Sequence, residues 1–540
     1  MVKTDKQAKL AEKKSASHAA YDDVPYVSHA FPQTNPVLLQ GIAKIFGLST
    51  VSPDKARILE IGCASGGNIL TLANNYPKSK CVGIDYSERQ IALGKSEMAA
   101  GGITNLELKH MSVMDVTKDF GTFDYIICHG VLSWVAPEVQ DKILEVCSAN
   151  LAEDGVAFVS YNTLPGWNSV RSVRDMMLYH TERFADAPTK ASQARLMLKF
   201  VGDAMRAKNN PTADFLEREF ALLEKQPDAY LLHDHLEENN FPFYFHEVMA
   251  RAGAKGLQYL ADTSLDMMFS GNLPADVAKQ LAASDDIVRT EQYMDYITNR
   301  RFRNTLLCHK DRILNRNIQP PVLQDGYVIS QFSFPEGFEN HDIASQQPVE
   351  FKTPGGMTLT SNQSLCLALM QVLKETKSAP VSVKDVFARV EEKCLKANIF
   401  KPGQDQKIVE EQTGLQILRY IFLGGIAFVL HPFHGVSVVS KKPMISKLVR
   451  HQAANQGWVS GGKQESVIID PLDTKLIPYI DGTHDEAALN ALMLPHFTSN
   501  EISMNENGQP IGNLAIIQER LANIIPDKLQ RYAALGLLEK

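Results

Sequence analysis

The chain has 540 residues, 44% of them hydrophobic and 22% charged, which predicts a large folded protein of several domains. Its net charge of −7 gives no reason to expect a nucleic-acid partner, because such proteins usually carry a basic domain or stripe, and no apolar run reaches the ~18 residues of a membrane span. The seven cysteines are odd in number and include no Cys-x-x-Cys pair, which argues against a disulfide framework or cysteine zinc site and favours the reducing cytoplasm.

Residues 1–36 form an N-terminal segment ahead of the first predicted helix. The lysine-rich stretch Met1–Ala16 has no apolar region and is not a secretory signal. Tyr21 and Tyr26 follow it. We expect these two tyrosines either to fold over a ligand site as a lid or to staple the segment to the core.

Residues 37–165 alternate between strand-like and helical segments. Strands are predicted at Arg57–Ile61, Cys81–Ile84, Leu106–His110, Phe123–Cys128 and Gly155–Ser160, and helices at Val37–Phe46, Asn68–Asn74, Glu88–Ala99 and Gln140–Leu151. This alternation indicates βαβ units and a parallel sheet of the Rossmann-like α/β class.

The next two segments differ from the core. Residues 166–240 read as a helical insertion of three amphipathic helices, Ser169–Phe184, Thr189–Lys208 and Pro211–Glu224. Residues 241–310 hold a helix at Glu247–Ala252 and strands at Gly256–Ala261 and Phe302–His309. This pattern predicts a return to the core sheet.

The C-terminal part begins with residues 311–355, a predicted linker with one strand at Tyr327–Phe334. Residues 356–540 predict a mostly helical domain, with helices at Gln363–Thr376, Ser382–Ala397, Gln406–Phe422, Glu486–Leu494 and Ile516–Leu535 and a strand at Gly435–Ser440. The first three helices with that strand would suit a winged-helix-like module. We expect Pro526 to break the last helix, and the helical surfaces leave a homodimer possible.

The strongest motif is the loop Glu60-Ile-Gly-Cys-Ala-Ser-Gly-Gly67, between the first strand and the next helix. It matches neither the Gly-x-Gly-x-x-Gly loop of dinucleotide sites nor a P-loop. Glu60 would add like charge beside a pyrophosphate, but it suits a ligand with a cationic end. Small residues here let the backbone approach that ligand.

Acids also follow the second and third strands. Asp85 can accept both hydroxyls of a ribose, and Asp115 can accept the amino group of an adenine that lies against Met114. Together with Glu60, these positions narrow the ligand to one with a ribose, an adenine and a positive charge.

This arrangement resembles the class I S-adenosylmethionine (SAM)-dependent methyltransferases, with Ala64 where the family usually has a glycine. The resemblance implies SAM as cofactor, S-adenosylhomocysteine as product, and no metal. The predicted cofactor-binding residues are Glu60, Gly62, Cys63, Ala64, Gly66, Asn68, Asp85, Tyr86, Met114, Asp115 and His129.

Further stretches carry a closer resemblance. They are Tyr21–Tyr26, Phe31-Pro-Gln-Thr34, Ser160–Trp167, Leu232–Asn239 and Glu291–Arg303. Over residues 20–310 the chain is similar to bacterial methyltransferases with a methyltransferase regulatory domain, among them the rickettsial outer-membrane-protein lysine methyltransferases. The resemblance places that domain near residues 215–303 and implies methyl transfer to a protein lysine.

A lysine amine must lose its proton before it attacks, because its ordinary pKa is about 10.4, and neutral or aromatic surroundings help. Candidate catalytic residues are Tyr21, Tyr26, His129, Trp134, Tyr161 and Asn162. His129 would be a general base or a wall of the pocket, and Trp134 a core residue or part of the site. The cofactor motif leaves two alternatives open: a small-molecule or lipid acceptor, and a regulatory module that binds SAM without turnover.

Two polar clusters invite other interpretations. His233, Asp234, His235 and His246 match no standard zinc motif, so no metal is predicted. Arg300, Arg301 and Arg303 are expected to pair with acids of the helical insertion rather than with nucleic acid.

Overall fold

A computed structural model describes residues 28–237, 239–401, 406–506 and 509–539. One seven-stranded sheet lies at its centre, formed by β1 (Arg57–Ile61), β2 (Lys80–Asp85), β3 (Leu106–His110), β4 (Phe123–Cys128), β5 (Leu151–Asn162), β6 (Leu257–Asp262) and β7 (Phe302–His309). The order is β3-β2-β1-β4-β5-β7-β6, and β7 runs antiparallel to both its neighbours. The predicted α/β fold is confirmed, and β6 and β7 lie in this sheet. The strand order reverses between β1 and β4, where ligands bind in such sheets.

The core strands read as continuous apolar runs because both faces of the sheet are covered. In β1, Ile58 joins one hydrophobic cluster and Leu59 the other, and in β5 Phe158 and Val159 divide in the same way. Consecutive residues therefore point to opposite faces, as the pleat of a strand requires.

Four helices connect or flank the parallel strands: α1 (Pro36–Ile45), α2 (Gly67–Asn75), α3 (Glu88–Gly101) and α4 (Pro137–Ala149). The side chain of Asn35 caps α1 ahead of a proline in its first turn, and Ser87 caps α3 as its sequence predicts. The helix α2 begins directly at the glycine loop, with Gly66 as its N-cap. Its first turn therefore faces the crevice at the end of β1.

The predicted helical insertion contains α5 (Gly166–Thr181), α6 (Ala187–Ala207), α7 (Ala213–Leu223) and the short α8 (Asp228–Tyr230), which continues into a π-helical turn at Leu231–His235. These helices bury their own small core around Val173, Met177, Leu198 and Leu216. The chain then returns through α9 (Phe245–Ala254), α10 (Ala275–Ala282) and α11 (Ile287–Thr298).

A buried ion-pair network fastens α11 to the sheet. Arg303 on β7 is fully buried, and its Nη2 lies 2.9 Å from Glu291 and 2.8 Å from Asp295 on α11. Arg300 pairs with Asp262 of β6 at 2.8 Å. All three arginines are expected to pair with acids of the insertion, but only Arg301 does so, with Glu219. Arg300 and Arg303 pair instead with acids of β6 and α11. Arg300 and Arg303 lie beside β6 and α11 rather than beside the insertion, and this position determines their partners.

A middle unit, residues 319–430, packs on the face of the sheet that α1 covers. It contains β8 (Tyr327–Ser330), β9 (Val349–Lys352), β10 (Thr358–Ser361), α12 (Ser364–Glu375), β11 (Val381–Ser382), α13 (Val383–Lys396), α14 (Gln406–Phe422) and β12 (Ile426–Val429). Strands β11, β8 and β12 form an antiparallel sheet, and Phe351 and Phe428 join the same hydrophobic cluster as Val37. The segment predicted as a linker therefore contributes buried residues and strands to this core.

A C-terminal unit, residues 444–539, has a separate hydrophobic core built on Ile445, Leu489, Leu521 and Leu529. Its elements are α15 (Lys447–Asn455), β13 (Trp458–Ser460), β14 (Ser466–Ile468), α16 (Pro471–Leu476), α17 (Glu486–Thr498), β15 (Asn505–Glu506), β16 (Gln509–Pro510) and α18 (Leu514–Ala534). Across the described ranges, no helix has both the length and the apolar character to span a membrane.

Two predictions in this part are wrong. Gly435–Ser440 forms no strand and pairs with no other strand. Gly435 has a positive φ of 107° and packs closely against the backbone of Gly536. Pro526 does not break α18, which runs continuously from Leu514 to Ala534. The buried stripe on α18 continues past the proline and keeps the helix on its core.

Candidate functional site

The loop after β1 has the backbone that its glycines predict. Gly62 and Gly66 have φ values of 72° and 84°, in the left-handed region that glycine favours. Ala64 also has a positive φ, 47°, which L-residues rarely adopt. A Cβ on Gly67 would lie 2.3 Å from the carbonyl oxygen of Ser28, so no larger residue fits there. The loop therefore brings its backbone close to the crevice at the start of α2, while the N–H groups of Ala64 and Gly67 are bonded to Asp85 and Ser28.

Glu60, the acid of β1, is buried, and one of its carboxylate oxygens accepts a side-chain hydrogen bond. Asn68 Nδ2 donates to its Oε1 at 2.9 Å, and its Oε2 has no hydrogen-bond partner among the described residues. Burial raises the pKa of Glu60 from its ordinary 4.5 to about 8. A buried carboxylate oxygen without a partner is costly. Its position fits a cationic ligand group, which would fill that oxygen.

Asp85, at the end of β2, holds the glycine loop in place. Its Oδ2 accepts the backbone N–H of Ala64 at 2.8 Å, and its Oδ1 accepts that of Ser87 at 2.9 Å. Burial raises its pKa, and these backbone hydrogen bonds oppose the rise. Each carboxylate oxygen can accept more than one hydrogen bond, so Asp85 keeps capacity for ribose hydroxyls.

The residues expected beside an adenine lie at the surface of the crevice. Met114 and Asp115 stand in a 3₁₀ turn, Val113–Asp115, directly after β3, and both are exposed. Tyr86 is 61% exposed after β2. Their uncovered apolar surfaces flank one edge of the site, while Cys63 is buried in the core behind the loop.

His129, at the end of β4, is held between aromatic rings. Its ring stacks on Phe31 at 4.1 Å and lies 5.8 Å from the ring of Phe158. Burial lowers the pKa of His129 to about 4, and its Nε2 lies 2.9 Å from the amide nitrogen of Gln33, which can only donate. The imidazole is therefore neutral, with its basic nitrogen occupied, which favours a wall over a general base.

The other residues predicted for the acceptor site fall into two groups, those at the crevice and one in the core. Asn162 is 3% exposed at the end of β5, and its Nδ2 has no partner within the described ranges. Trp134 is half-buried and lies edge-on to Trp167. Tyr161 is buried on the opposite face of β5, where its hydroxyl bonds Thr305 at 2.9 Å. The structure therefore gives Tyr161 a core position, while Tyr21 and Tyr26 lie outside the described residues.

Two further segments touch the loop or the strap beside it: one lies within residues 1–36, where a lid is predicted, and sequence reasoning missed the other. In the N-terminal strap, residues 28–34, the Ser28 hydroxyl accepts the N–H of Gly67 at 2.8 Å and the N–H of Phe31 donates to Asn68 Oδ1 at 3.0 Å. The β13–β14 hairpin of the C-terminal unit contacts both the strap and α2: the N–H of Ala30 donates to Ser466 Oγ at 3.1 Å. The motif Phe31–Thr34 was the one signal in the sequence for the strap, and nothing marked the hairpin.

The histidines considered as metal ligands make other contacts. His246 Nδ1 lies 2.9 Å from Gln292 Oε1, and burial lowers the pKa of His235 to about 4. The described part of the chain brings no three potential His, Cys, Asp or Glu ligands together.

Comparison with known proteins gives three family matches along the chain. A methyltransferase domain matches residues 58–155, a methyltransferase regulatory domain matches residues 227–309, and a PKMT C-terminal winged-helix domain matches residues 441–537. The winged helix thus lies in the C-terminal unit, after the three helices whose pattern had suggested it.

Two relatives match over nearly the whole chain. An uncharacterised protein of Rickettsia prowazekii (strain Madrid E) is 38% identical over 530 residues, 97% of this chain and 94% of that protein. The solved structure of PKMT2 from Rickettsia typhi matches with a TM-score of 0.85 and 33% identity, over 95% of this chain and 100% of PKMT2. PKMT2 in complex with AdoHcy matches with a TM-score of 0.84 and 34% identity, over 96% and 100% of the two chains.

Proposed function

The chain belongs to the PKMT family of SAM-dependent methyltransferases, and from that premise we propose that its methyl acceptor is the side-chain amine of a protein lysine. The full-length likeness to PKMT2 of Rickettsia typhi carries this proposal. Many enzymes share the SAM-binding core, so a likeness confined to it would say nothing about the acceptor. Here the likeness extends over the regulatory and winged-helix domains, which lie outside the shared SAM-binding core and can distinguish one acceptor from another.

We assign the two ends of the cofactor from the geometry of the loop. Glu60 offers its unpartnered Oε2 to the ammonium group, and Asp85 offers its remaining acceptor capacity to the ribose. Asp115 and Met114 flank the adenine side. When bound, SAM supplies a methyl group on a sulfonium that is already activated for in-line transfer, so the protein mainly positions the acceptor.

The groups at the ends of β4 and β5 suit a neutral amine. His129 is uncharged, Asn162 is a neutral amide with an unused donor, and Phe31 and Trp134 present aromatic surface. An environment without full charges disfavours the ammonium form of lysine and so lowers its pKa. These residues therefore favour the deprotonated amine and orient it, with no general base required of His129.

The test is transfer of tritiated methyl from SAM into a bacterial lysate, followed by separation of protein, lipid and small-molecule fractions. We expect label in the protein fraction and, after acid hydrolysis, in methylated lysine. The matched control is Asp85→Ala, whose label in all three fractions should stay close to that of lysate incubated without the protein. Label from the wild-type protein that enters only lipid or small molecules would refute the lysine acceptor while leaving the methyltransferase assignment intact.

A further inference from the structure

A buried side chain of the C-terminal unit contacts the residue that follows the cofactor loop, Asn68. Gln464 stands in the turn of the β13–β14 hairpin and is fully buried against the first turn of α2. Its Nε2 donates to the backbone oxygen of Asn68 at 2.7 Å and to Asn68 Oδ1 at 2.8 Å. Both hydrogens of the Gln464 amide are thus bonded to one residue in the first turn of α2.

Gln464 contributes the shortest of three bonds that orient the Asn68 amide. Asn68 Oδ1 accepts from Gln464 Nε2 at 2.8 Å, from the N–H of Phe31 at 3.0 Å and from the Thr34 hydroxyl at 3.1 Å. With its oxygen held by those donors, Asn68 turns its Nδ2 toward Glu60, to which it donates at 2.9 Å. A chain of hydrogen bonds therefore runs from the C-terminal unit, through Asn68, to Glu60.

We propose that Gln464 is a positioning residue of the cofactor site: through Asn68 it fixes the Glu60 carboxylate for the ammonium group of SAM, so that docking of the C-terminal unit and binding of SAM reinforce each other. The proposal rests on the assignment of Glu60 to the ammonium group made above. Since coupling between two sites is reciprocal, SAM should also stabilise the docked C-terminal unit.

The hairpin is shaped to deliver this side chain. Gln464 has a positive φ of 65°, an uncommon conformation for a residue with a Cβ, and a Cβ on Gly462 would lie 2.3 Å from the backbone oxygen of His434. Further along α2, Thr71 Oγ1 lies 2.7 Å from Ser460 Oγ. The turn is therefore held against α2 at more than one point, with Gln464 at the cofactor end.

The same bonds influence the charge of Glu60. The titratable groups facing it are Asp85 from the end of β2, Cys63 in the loop, Cys81 on β2 and Cys128 on β4. Burial and Asp85 raise the pKa of Glu60, whereas hydrogen bonds from Asn68 and from the backbone N–H of Ile69 lower it. Without Gln464 the Asn68 amide would be held only by Phe31 and Thr34. A less firmly oriented amide would lower that pKa less, and SAM binding would then require a higher pH.

The experiment compares full-length wild-type protein with Gln464→Leu and with the control Gln456→Leu. Gln456 belongs to the same unit but donates to Glu97 on α3, at 3.4 Å, away from the loop. SAM affinity is measured by calorimetry from pH 6 to 9. For Gln464→Leu we expect affinity about tenfold weaker at pH 7 and a pH midpoint displaced upward, and for Gln456→Leu no change in either quantity.

Wild-type affinity and midpoint in a folded Gln464→Leu protein would overturn the proposal. Glu60→Gln separates this failure from failure of the underlying assignment. If Glu60→Gln weakens SAM binding while Gln464→Leu does not, the positioning role is refuted alone; if Glu60→Gln binds SAM normally, the assignment of Glu60 is refuted. Should Gln464→Leu fail to fold, Gln464→Asn, one methylene shorter, carries the same two outcomes.

Discussion

The raised pKa of Glu60 predicts that SAM binding is coupled to proton release. Burial places that pKa at about 8, and the ligand's ammonium group requires the ionised carboxylate. At pH 7 only about one free protein molecule in ten carries ionised Glu60. Affinity should therefore rise about tenfold between pH 6 and 7 and continue to rise toward pH 8, above which the ligand's own α-ammonium group begins to lose its proton.

Calorimetry in two buffers with different ionisation enthalpies measures this coupling directly. A net release approaching one proton should accompany each SAM bound at pH 6 to 7. Glu60→Gln is the matched control, because its amide has no proton to lose and its affinity should be weak and flat over this range. Wild-type binding without proton release at pH 7, and with one affinity from pH 6 to 8, would refute the reasoning.

The same shift affects the stability of the ligand-free protein. Because the folded pKa of Glu60 is raised above its ordinary 4.5, its contribution to stability is fully present below pH 4.5 and is lost as pH rises through about 8. The ligand-free Glu60→Gln protein should therefore melt a few degrees above wild type at pH 8.5, although it binds SAM more weakly. A lower melting temperature for this variant would contradict the burial argument.

Four further changes test other parts of the site. Asp85→Ala should weaken SAM binding about a hundredfold in calorimetry, since the carboxylate holds two backbone N–H groups as well as the ribose. His129→Phe should keep kcat within about threefold, with an unchanged rate profile from pH 6 to 8, because the pKa of His129 is already about 4. Asn162→Ala should lower kcat/KM for a lysine peptide about tenfold and leave SAM affinity unchanged. Arg303→Met should destabilise the fold by about 3–5 kcal/mol in thermal melts, because Glu291 and Asp295 would be buried without their cation.

Each of these expectations has a contrary result. Unchanged SAM affinity in Asp85→Ala would end the ribose assignment, and a loss of kcat of a hundredfold or more in His129→Phe would restore the general base. Asn162→Ala with full activity would leave the unpartnered amide without a role. A melting temperature equal to wild type in Arg303→Met would show that the buried carboxylates become protonated at little cost.

The sheet and its glycine loop were predictable because they depend on local pattern. The apolar runs of β1 to β5, the glycines at positive φ and the acids at successive strand ends each follow from residues close together in sequence. Tyr161 was also within reach of that reasoning. It shares a face with Ala157 and Val159, whereas Asn162 points to the other face, so strict alternation along β5 separates the core residue from the crevice residue.

The contacts that complete the site were not predictable from local pattern. Gln464 and Asn68 are 396 residues apart, and their bond depends on how two independently cored units dock. The same holds for α18. Pro526 locally disfavours a continuous helix, but the buried residues along the whole of α18 keep it helical. Pairings across domains depend on shape and register that one sequence does not display.

The hydrogen bond between Ala30 and Ser466 has a consequence for the synthesis of the protein. These residues are 436 positions apart, which a ribosome covers in roughly 20 to 90 s. During that interval the glycine loop has emerged without the hairpin that supports it. On the coupling proposed for Gln464, a nascent or prematurely ended chain would hold the methyl donor less tightly than the completed chain.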